Sequence, residues 1–496
     1  MLINFSDLPD DIIYVLGKSL KEEGTADVYT LMLLSKRTYA VVIPIVYSSV
    51  NLRSYHQCIH TLEFLRRHPH VASYIHTLSV APRNRTLSSN SKSCSEIETR
   101  VAYILEQSAP NLKCMVDFCW DGSCMPKPTT FWHTLQKECQ NLAYITTTIS
   151  HTDPFSWDEK TSFLQLRNLR GLSVVIKTSP DNPHDAISEP PLFLSRFPPS
   201  FWEMIHPSRS PKLRSLTFES DKLRSFDFNP LFKLKLPSLR VLAIGAFVFS
   251  DFSCTDLVSF LAFTRKMEHL EISPVARIPW QDIHFDQLQH YGGNAYSVMA
   301  GAAHWSSLRA LDISSLPLSF VRMTNFVQKS SRLPLLKFLK LRVTSEDTIC
   351  LPSCPRICGD SDPSLDLVPA LACCYPGLEE LHMISSVGSI LPWDSILVSL
   401  RRFRNLRRFH LSQVPPRLGG STLQTAVAAL FSNNKIEQVV VSRSVGPWQR
   451  VCDYKIDEKV IVGYLNRQSQ IVTVHRINYR DSEYVSSSKF LLSWTV

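Results

Sequence analysis

The feature that most constrains this 496-residue chain is a short pattern, L-x-x-L-x-Φ with Φ apolar, that returns at a nearly fixed interval. In its clearest copy, Leu239, Leu242 and Ile244, the last two alternate with Val241 and Ala243, as a strand buried on one face requires. Further copies begin at Leu213, Met267, Leu308, Leu336, Leu378 and Leu406, a degenerate one at Ile436, and fainter ones at Leu112, Leu142 and Leu169. Successive first positions lie 30, 27, 44, 26, 28, 41, 28, 42, 28 and 30 residues apart. Seven of these intervals cluster near 28, and the other three exceed it by the length of a loop.

One strand and one helix per turn occupy roughly 20–29 residues in a leucine-rich repeat. The interval therefore predicts an α/β leucine-rich-repeat solenoid, with a parallel sheet on its concave side and helices on its convex side. Such an array escapes the size limit of a single core, because each repeat packs on its neighbours alone. The array is expected over 53–480, with insertions near 83–98, 177–211, 277–299 and 345–369, the last three accounting for the long intervals. Eight prolines between 177 and 211 withhold backbone donors and rule out regular structure throughout that stretch. Beyond Val441 the pattern decays; a helix is expected over 455–466, a last strand over 471–474, and a tail or cap over 481–496.

Composition narrows the function classes. Asp7, Asp10 and Asp11 are unlike a presequence, and no apolar run approaches the roughly 18 residues of a membrane span. The expected compartment is cytoplasmic, nuclear or both, with reduced thiols and no membrane partner. The thirteen cysteines include two clusters, Cys114/Cys119/Cys124/Cys139 and Cys350/Cys354/Cys358/Cys373/Cys374, without the C-x₂-C pairing of a zinc site. No metal or cofactor is expected. Nucleophile-elbow, zinc-protease, P-loop and dinucleotide motifs are all missing from the sequence, so the chain is not expected to be an enzyme. The net charge of +9 is scattered, and its densest cluster (Arg401, Arg402, Arg404, Arg407, Arg408) reads as solvated surface, not a nucleic-acid site.

The first fifty residues do not follow the repeat. Asp7 can cap a helix, Pro9 sits in its first turn, and Ile12, Ile13, Leu16 and Leu20 share a face. A second helix is expected from about Ala26 to Tyr39, with Pro44 interrupting the chain before Ile45, Val46 and Tyr47. These helices would suit a cap for the solenoid. The stretch also resembles an F-box: Leu8-Pro9-Asp10-Asp11-Ile12-Ile13 stands for its Leu-Pro-x-Glu-Ile/Leu-Leu opening, and Leu31-Met32-Leu33-Leu34-Ser35-Lys36-Arg37 for Leu-x-x-Val-Ser/Cys-Lys/Arg. Tyr39, Pro44, Tyr47, Val50 and Leu52 are similar to the tail of fungal members, while Asp11 replaces the usual Glu and Lys21–Ala26 lengthens the inter-helix loop. The resemblance covers residues 5–52 and gives a 1–52 domain of three helices. It implies a substrate receptor of a Skp1-cullin-F-box ubiquitin ligase. Leu8, Pro9, Ile12, Ile13, Leu16, Leu31 and Leu34 would then dock on a Skp1-type adaptor in the cullin complex. The alternative is a repeat scaffold without a ligase role.

For the repeats, the alternation places a second set of residues on the concave face. Phe338, Lys340, Arg342, Glu380, His382, Ile384, Arg408 and His410 come from three successive predicted strands and should form one patch there. Its aromatic and arginine content, with charges of both signs, points to a protein target of unknown identity instead of a polyanion.

Overall fold

The computed structural model describes residues 8–414 apart from 24, 83–90, 124, 127–129, 151–160, 178–195, 221–223, 246, 250–253, 273–279, 281–282, 302–304, 320–321, 324–325, 328–332, 345–363 and 386–399, together with strands at 438–443, 459–465 and 472–478. It divides into two units, Met1–Thr264 and Arg265–Val496.

The first unit opens with three helices, α1 (Asp10–Glu23), α2 (Thr25–Leu33) and α3 (Lys36–Tyr47). Ile13, Val28, Leu31, Met32, Val42, Ile43 and Ile45 are buried among them. The single helix expected over 26–39 is broken at Leu34 and Ser35. The cause is local: Ser35 Oγ accepts from the Thr38 amide at 3.0 Å, and Thr38 Oγ1 accepts from the Ser35 amide at 2.9 Å. This reciprocal cap starts a new helix. Pro44 lies inside α3 and does not interrupt it. Near the end of that helix, Lys21 Nζ donates to the Ile45 carbonyl at 2.6 Å and to Ser48 Oγ at 2.9 Å, meeting part of the acceptor demand of the terminus.

Seven strands of this unit then pair in parallel and in chain order: β1 (Ser49–Leu52), β2 (Thr77–Val80), β3 (Asp117–Trp120), β4 (Tyr144–Ser150), β5 (Gly171–Lys177), β6 (Ser215–Ser220) and, skipping one, β8 (Val241–Ile244). The skipped strand, β7 (Arg224–Phe226), pairs with β9 (Phe247–Phe249) in a separate two-stranded ribbon. In the second unit β10 (His269–Ile272), β11 (His290–Gly292), β12 (Ala310–Ser319), β13 (Phe338–Thr344), β14 (Glu380–Ser385), β15 (Arg408–Val414) and β16 (Gln438–Arg443) repeat the parallel order. The sheet ends with two antiparallel strands, β17 (Lys459–Leu465) and β18 (Val472–Asn478).

Within each unit, successive repeats are locked together by a recurring device. Two successive amides ahead of a strand donate to one carbonyl of the preceding repeat: Arg170 and Gly171 to Ala143, Arg214 and Ser215 to Arg170, Lys337 and Phe338 to Arg309, Glu379 and Glu380 to Lys337. The residue just before the first repeat leucine adds a side-chain bond to a carbonyl of the preceding repeat. Asn141 reaches Lys113, Ser238 reaches Pro211, Ser307 reaches Leu288 and Asn405 reaches Pro376, at 2.8–3.1 Å. On the covered face of the sheet Leu172, Leu216, Leu242, Leu311, Leu339 and Leu381 are buried.

Several expected insertions contain regular structure. Residues 83–98 are not a polar loop throughout: helix Ser91–Ser108 begins within them, and buried Glu98 accepts from the Ser123 amide at 2.6 Å. Within 177–211 the helix Pro199–Ile205 buries Phe201, Trp202, Met204 and Ile205, with its prolines at the helix start where a missing amide costs nothing. The described part of 277–299 contains a further repeat strand: β11 lies between β10 and β12, so the 41-residue interval holds two short repeat starts, Met267 and Leu288. Buried Tyr291 takes the place of the second leucine and masks the pattern; Trp280 and Trp305 pack on it at 5.7 and 4.8 Å between ring centroids. Of 345–369, the first nineteen residues lie outside the described ones and the helix Ser364–Cys374 covers the rest. Of the helix expected over 455–466, residues 459–465 are instead β17, whose Val460-Ile461-Val462 run favours an extended chain, and the remainder lies outside the described residues. The expected strand over 471–474 is β18, and the expected tail over 481–496 lies outside the described residues.

Candidate functional site

Two surfaces stand out, one in each unit. On the N-terminal helices the sequence-selected residues divide. Ile13 and Leu31 are 1% and 4% exposed and hold the helices together. Leu8 is half-buried, while Pro9, Ile12, Leu16 and Leu34 face solvent. The exposed apolar set is wider than the motif suggests: Tyr14, Val15, Tyr29, Leu33 and Tyr39 belong to it, and Leu33 is 85% exposed. Val15, outside the apolar face expected for α1, is 60% exposed. Arg37 ties the two helix starts, its Nε 2.7 Å from Asp10 Oδ1 and its Nη2 2.8 Å from the Leu8 carbonyl.

The second surface is the open face of the sheet in the second unit. Strand register brings the selected residues there into three rows. Phe338, Glu380 and Arg408 are cross-strand partners, and so are Lys340, His382 and His410. Arg342 and Ile384 pair just beyond them. The first two rows continue the other way through His269 and His290 to Ala310, and through Glu271 and Gly292 to Asp312. At Gly292 a Cβ would lie 2.8 Å from Glu271 Cγ, so the Glu271 side chain can cross this strand only over a glycine.

Electrostatically the face combines ion pairs with carboxylate–imidazole contacts. Lys340 Nζ meets Asp312 Oδ2 at 2.7 Å, and Asp312 Oδ1 also accepts from Ser314 Oγ at 2.6 Å. Glu380, with its side chain 5% exposed, is the centre of the other group: its Oε1 lies 2.8 Å from His382 Nε2 and 3.6 Å from His410 Nε2, and its Oε2 3.5 Å from Arg408 Nη1. Phe338 packs edge-on against the His382 ring at 5.0 Å. Burial, then the neighbouring His382 and Arg408, hold His410 well below the usual imidazole pKa. Burial likewise depresses His290, with His269 and Lys340 adding to it. Two clusters of potential metal ligands result, His269/Glu271/His290 and Glu380/His382/His410, each with its ligand atoms within 4.8 Å of one another. No sequence spacing announces them, because each draws on two strands a repeat apart. Of the cysteines, Cys58 and Cys139 are buried thiols pushed up to about 12 by desolvation, which suits packing and not reactivity.

These features define a parallel-sheet repeat protein with an uncovered apolar helical face at one end of its sequence and an ionic sheet face further on. No model of a known protein family matches the chain, and no curated protein matches it. Solved structures similar to it include one described as the crystal structure of the Rad7 and Elc1 complex in yeast, 12% identical, covering 77% of this chain and 91% of that one with a TM-score of 0.37. A likeness of that size carries no argument about what this chain does.

Proposed function

We propose that the chain is the substrate receptor of a Skp1-cullin-F-box ubiquitin ligase, gripping the adaptor with its N-terminal helices and a protein target with the open face of its second unit. The observation that carries this reading is the exposed apolar face of α1 and α2, in the same residues that resemble an F-box. Ile12, Val15, Leu16, Leu33 and Leu34 are all more than a third exposed, although Ile13 and Leu31 beside them complete a core. A helical cap would bury such residues against its own solenoid; a docking module keeps them for a partner. Each would contribute about 1.5–3 kcal/mol if fully buried, and association costs remove much of that sum, leaving an affinity suited to a stable adaptor. The receptor itself performs no bond chemistry in this reading: it raises the effective concentration of a target near the charged conjugating enzyme.

Co-expression of the full chain with Skp1 tests the reading. The wild type should recover the adaptor in a pull-down, and Leu8→Ala with Pro9→Ala should weaken capture about tenfold or more, equivalent to about 1.4 kcal/mol. Leu34→Glu should do the same from the α2 side. Recovery of no adaptor by the wild-type chain would leave a repeat scaffold without a ligase role as the reading.

A further inference from the structure

We propose that Glu380, His382 and His410 form a binding site for a divalent transition-metal ion of the zinc class, open to the exposed face of the second unit's sheet. The site does not depend on the ligase reading, since its ligands are fixed by strand register alone.

The topology supplies the convergence. Residues 380 and 382 are two apart on β14 and share a face; 410 is the cross-strand partner of 382 on β15. Both imidazole Nε2 atoms approach one oxygen, Glu380 Oε1, at 2.8 and 3.6 Å. Zinc–nitrogen and zinc–oxygen bonds of about 2.0–2.1 Å in tetrahedral geometry place neighbouring donors about 3.3 Å apart. Both edges are therefore within about half an ångström of what a tetrahedral ion needs, and the ring planes are tilted by 37°, not parallel.

A second, independent observation points to a ligand. His410 Nε2 is buried without a hydrogen-bond partner. A buried ring nitrogen without a partner, beside a buried carboxylate, is costly unless something bonds to it. Arg408 Nη1 lies 3.5 Å from the other carboxylate oxygen, Glu380 Oε2.

The other cluster also holds an unpartnered buried ring nitrogen, His290 Nδ1, and differs in its geometry. His269 and His290 stack nearly parallel, 4.0 Å apart at 21°, so their lone pairs lie in nearly parallel planes. The Glu271 carboxylate is farther off, 3.9 Å from His269 Nε2. Two imidazoles and one carboxylate select first-row transition ions over calcium or magnesium, and three protein ligands leave a fourth position for water or a side chain of a bound partner.

The test uses the metal-stripped full chain titrated with Co²⁺ or Zn²⁺ alone, by equilibrium dialysis and by the visible spectrum of cobalt. One ion per chain should bind at micromolar or tighter Kd, with a spectrum free of thiolate-to-cobalt charge transfer despite the thirteen cysteines. His382→Gln and His410→Gln should each weaken binding by about tenfold or more, while His269→Gln leaves it unchanged. Arg408→Gln keeps all three ligands and removes a competing cation, so it should tighten binding; this arm stands even if a ligand variant fails to fold. A wild-type chain that retains no ion, a thiolate spectrum, or affinity indifferent to both His410→Gln and Arg408→Gln would each overturn the proposal.

Discussion

His290 shows how a single side chain sets a condition on the whole second unit. Its ring is 6% exposed, stacked on His269, and its Nδ1 is buried without a hydrogen-bond partner. Burial, followed by the nearby His269 and Lys340, lowers its folded-state pKa far below the usual value. In the unfolded chain the same ring takes up a proton near pH ~6.5. The unfolded state therefore binds more protons in acid, so the stability associated with the neutral ring is complete above pH ~6.5 and is lost as pH falls below it. Urea midpoints measured from pH ~8 down to ~5 should fall on the acid side, and His290→Gln should flatten that part of the slope. An unchanged slope in the variant would assign the acid sensitivity elsewhere. The repeat pattern does not single out this position, because no leucine triplet marks the strand that carries it.

At the level of the element, a repeat is not a stable object by itself. Leu339 is paired in register with Leu311 on one side and Leu381 on the other, and all three are fully buried. The paired amides of Lys337 and Phe338 bind the Arg309 carbonyl, while the Lys337 carbonyl in turn accepts from the amides of Glu379 and Glu380. Leu339→Ala should therefore cost about 2–5 kcal/mol through lost burial and the cavity left behind. Hydrogen exchange should speed up across β12, β13 and β14 together. Disturbance confined to β13 would contradict the interlock. The element scale also explains two departures from the expected elements. Leu34 and Ser35 fit a helix interior by pattern, yet Ser35 caps α3; a helix is expected over 455–466, yet residues 459–465 within it form a strand. Short apolar runs fit both periods, and the neighbour decides between them.

Across the whole molecule, the proposed function asks two surfaces in two units to act separately. The helical face belongs to Met1–Thr264 and the ionic sheet face to Arg265–Val496. Phe338→Ala with Arg408→Glu removes an aromatic anchor and reverses a charge at the centre of the second surface, where Glu380 already supplies a carboxylate. Once a target is identified by proximity labelling, this double variant should abolish its capture while Skp1 recovery stays at the wild-type level. Unchanged target capture would move the binding site off the open face and toward the proline-rich stretch within 177–211.

The sequence by itself determined the repeat. Its interval, the alternation within each copy, and hence the parallel pairing of Phe338, Glu380 and Arg408 all derive from local periodicity, which a strand or helix obeys whatever surrounds it. Tertiary structure decided what periodicity does not encode. It sorted Ile13 and Leu31 into a core and left Ile12 and Leu34 outside, because burial depends on where α3 lies and not on the motif. It supplied the hidden repeat at Leu288, where Tyr291 fills a leucine's volume between two tryptophans. And it turned three scattered polar residues into one site, since the distance from His410 to Glu380 is fixed by adjacent strands that are thirty positions apart in the chain and one hydrogen-bonded step apart in the sheet.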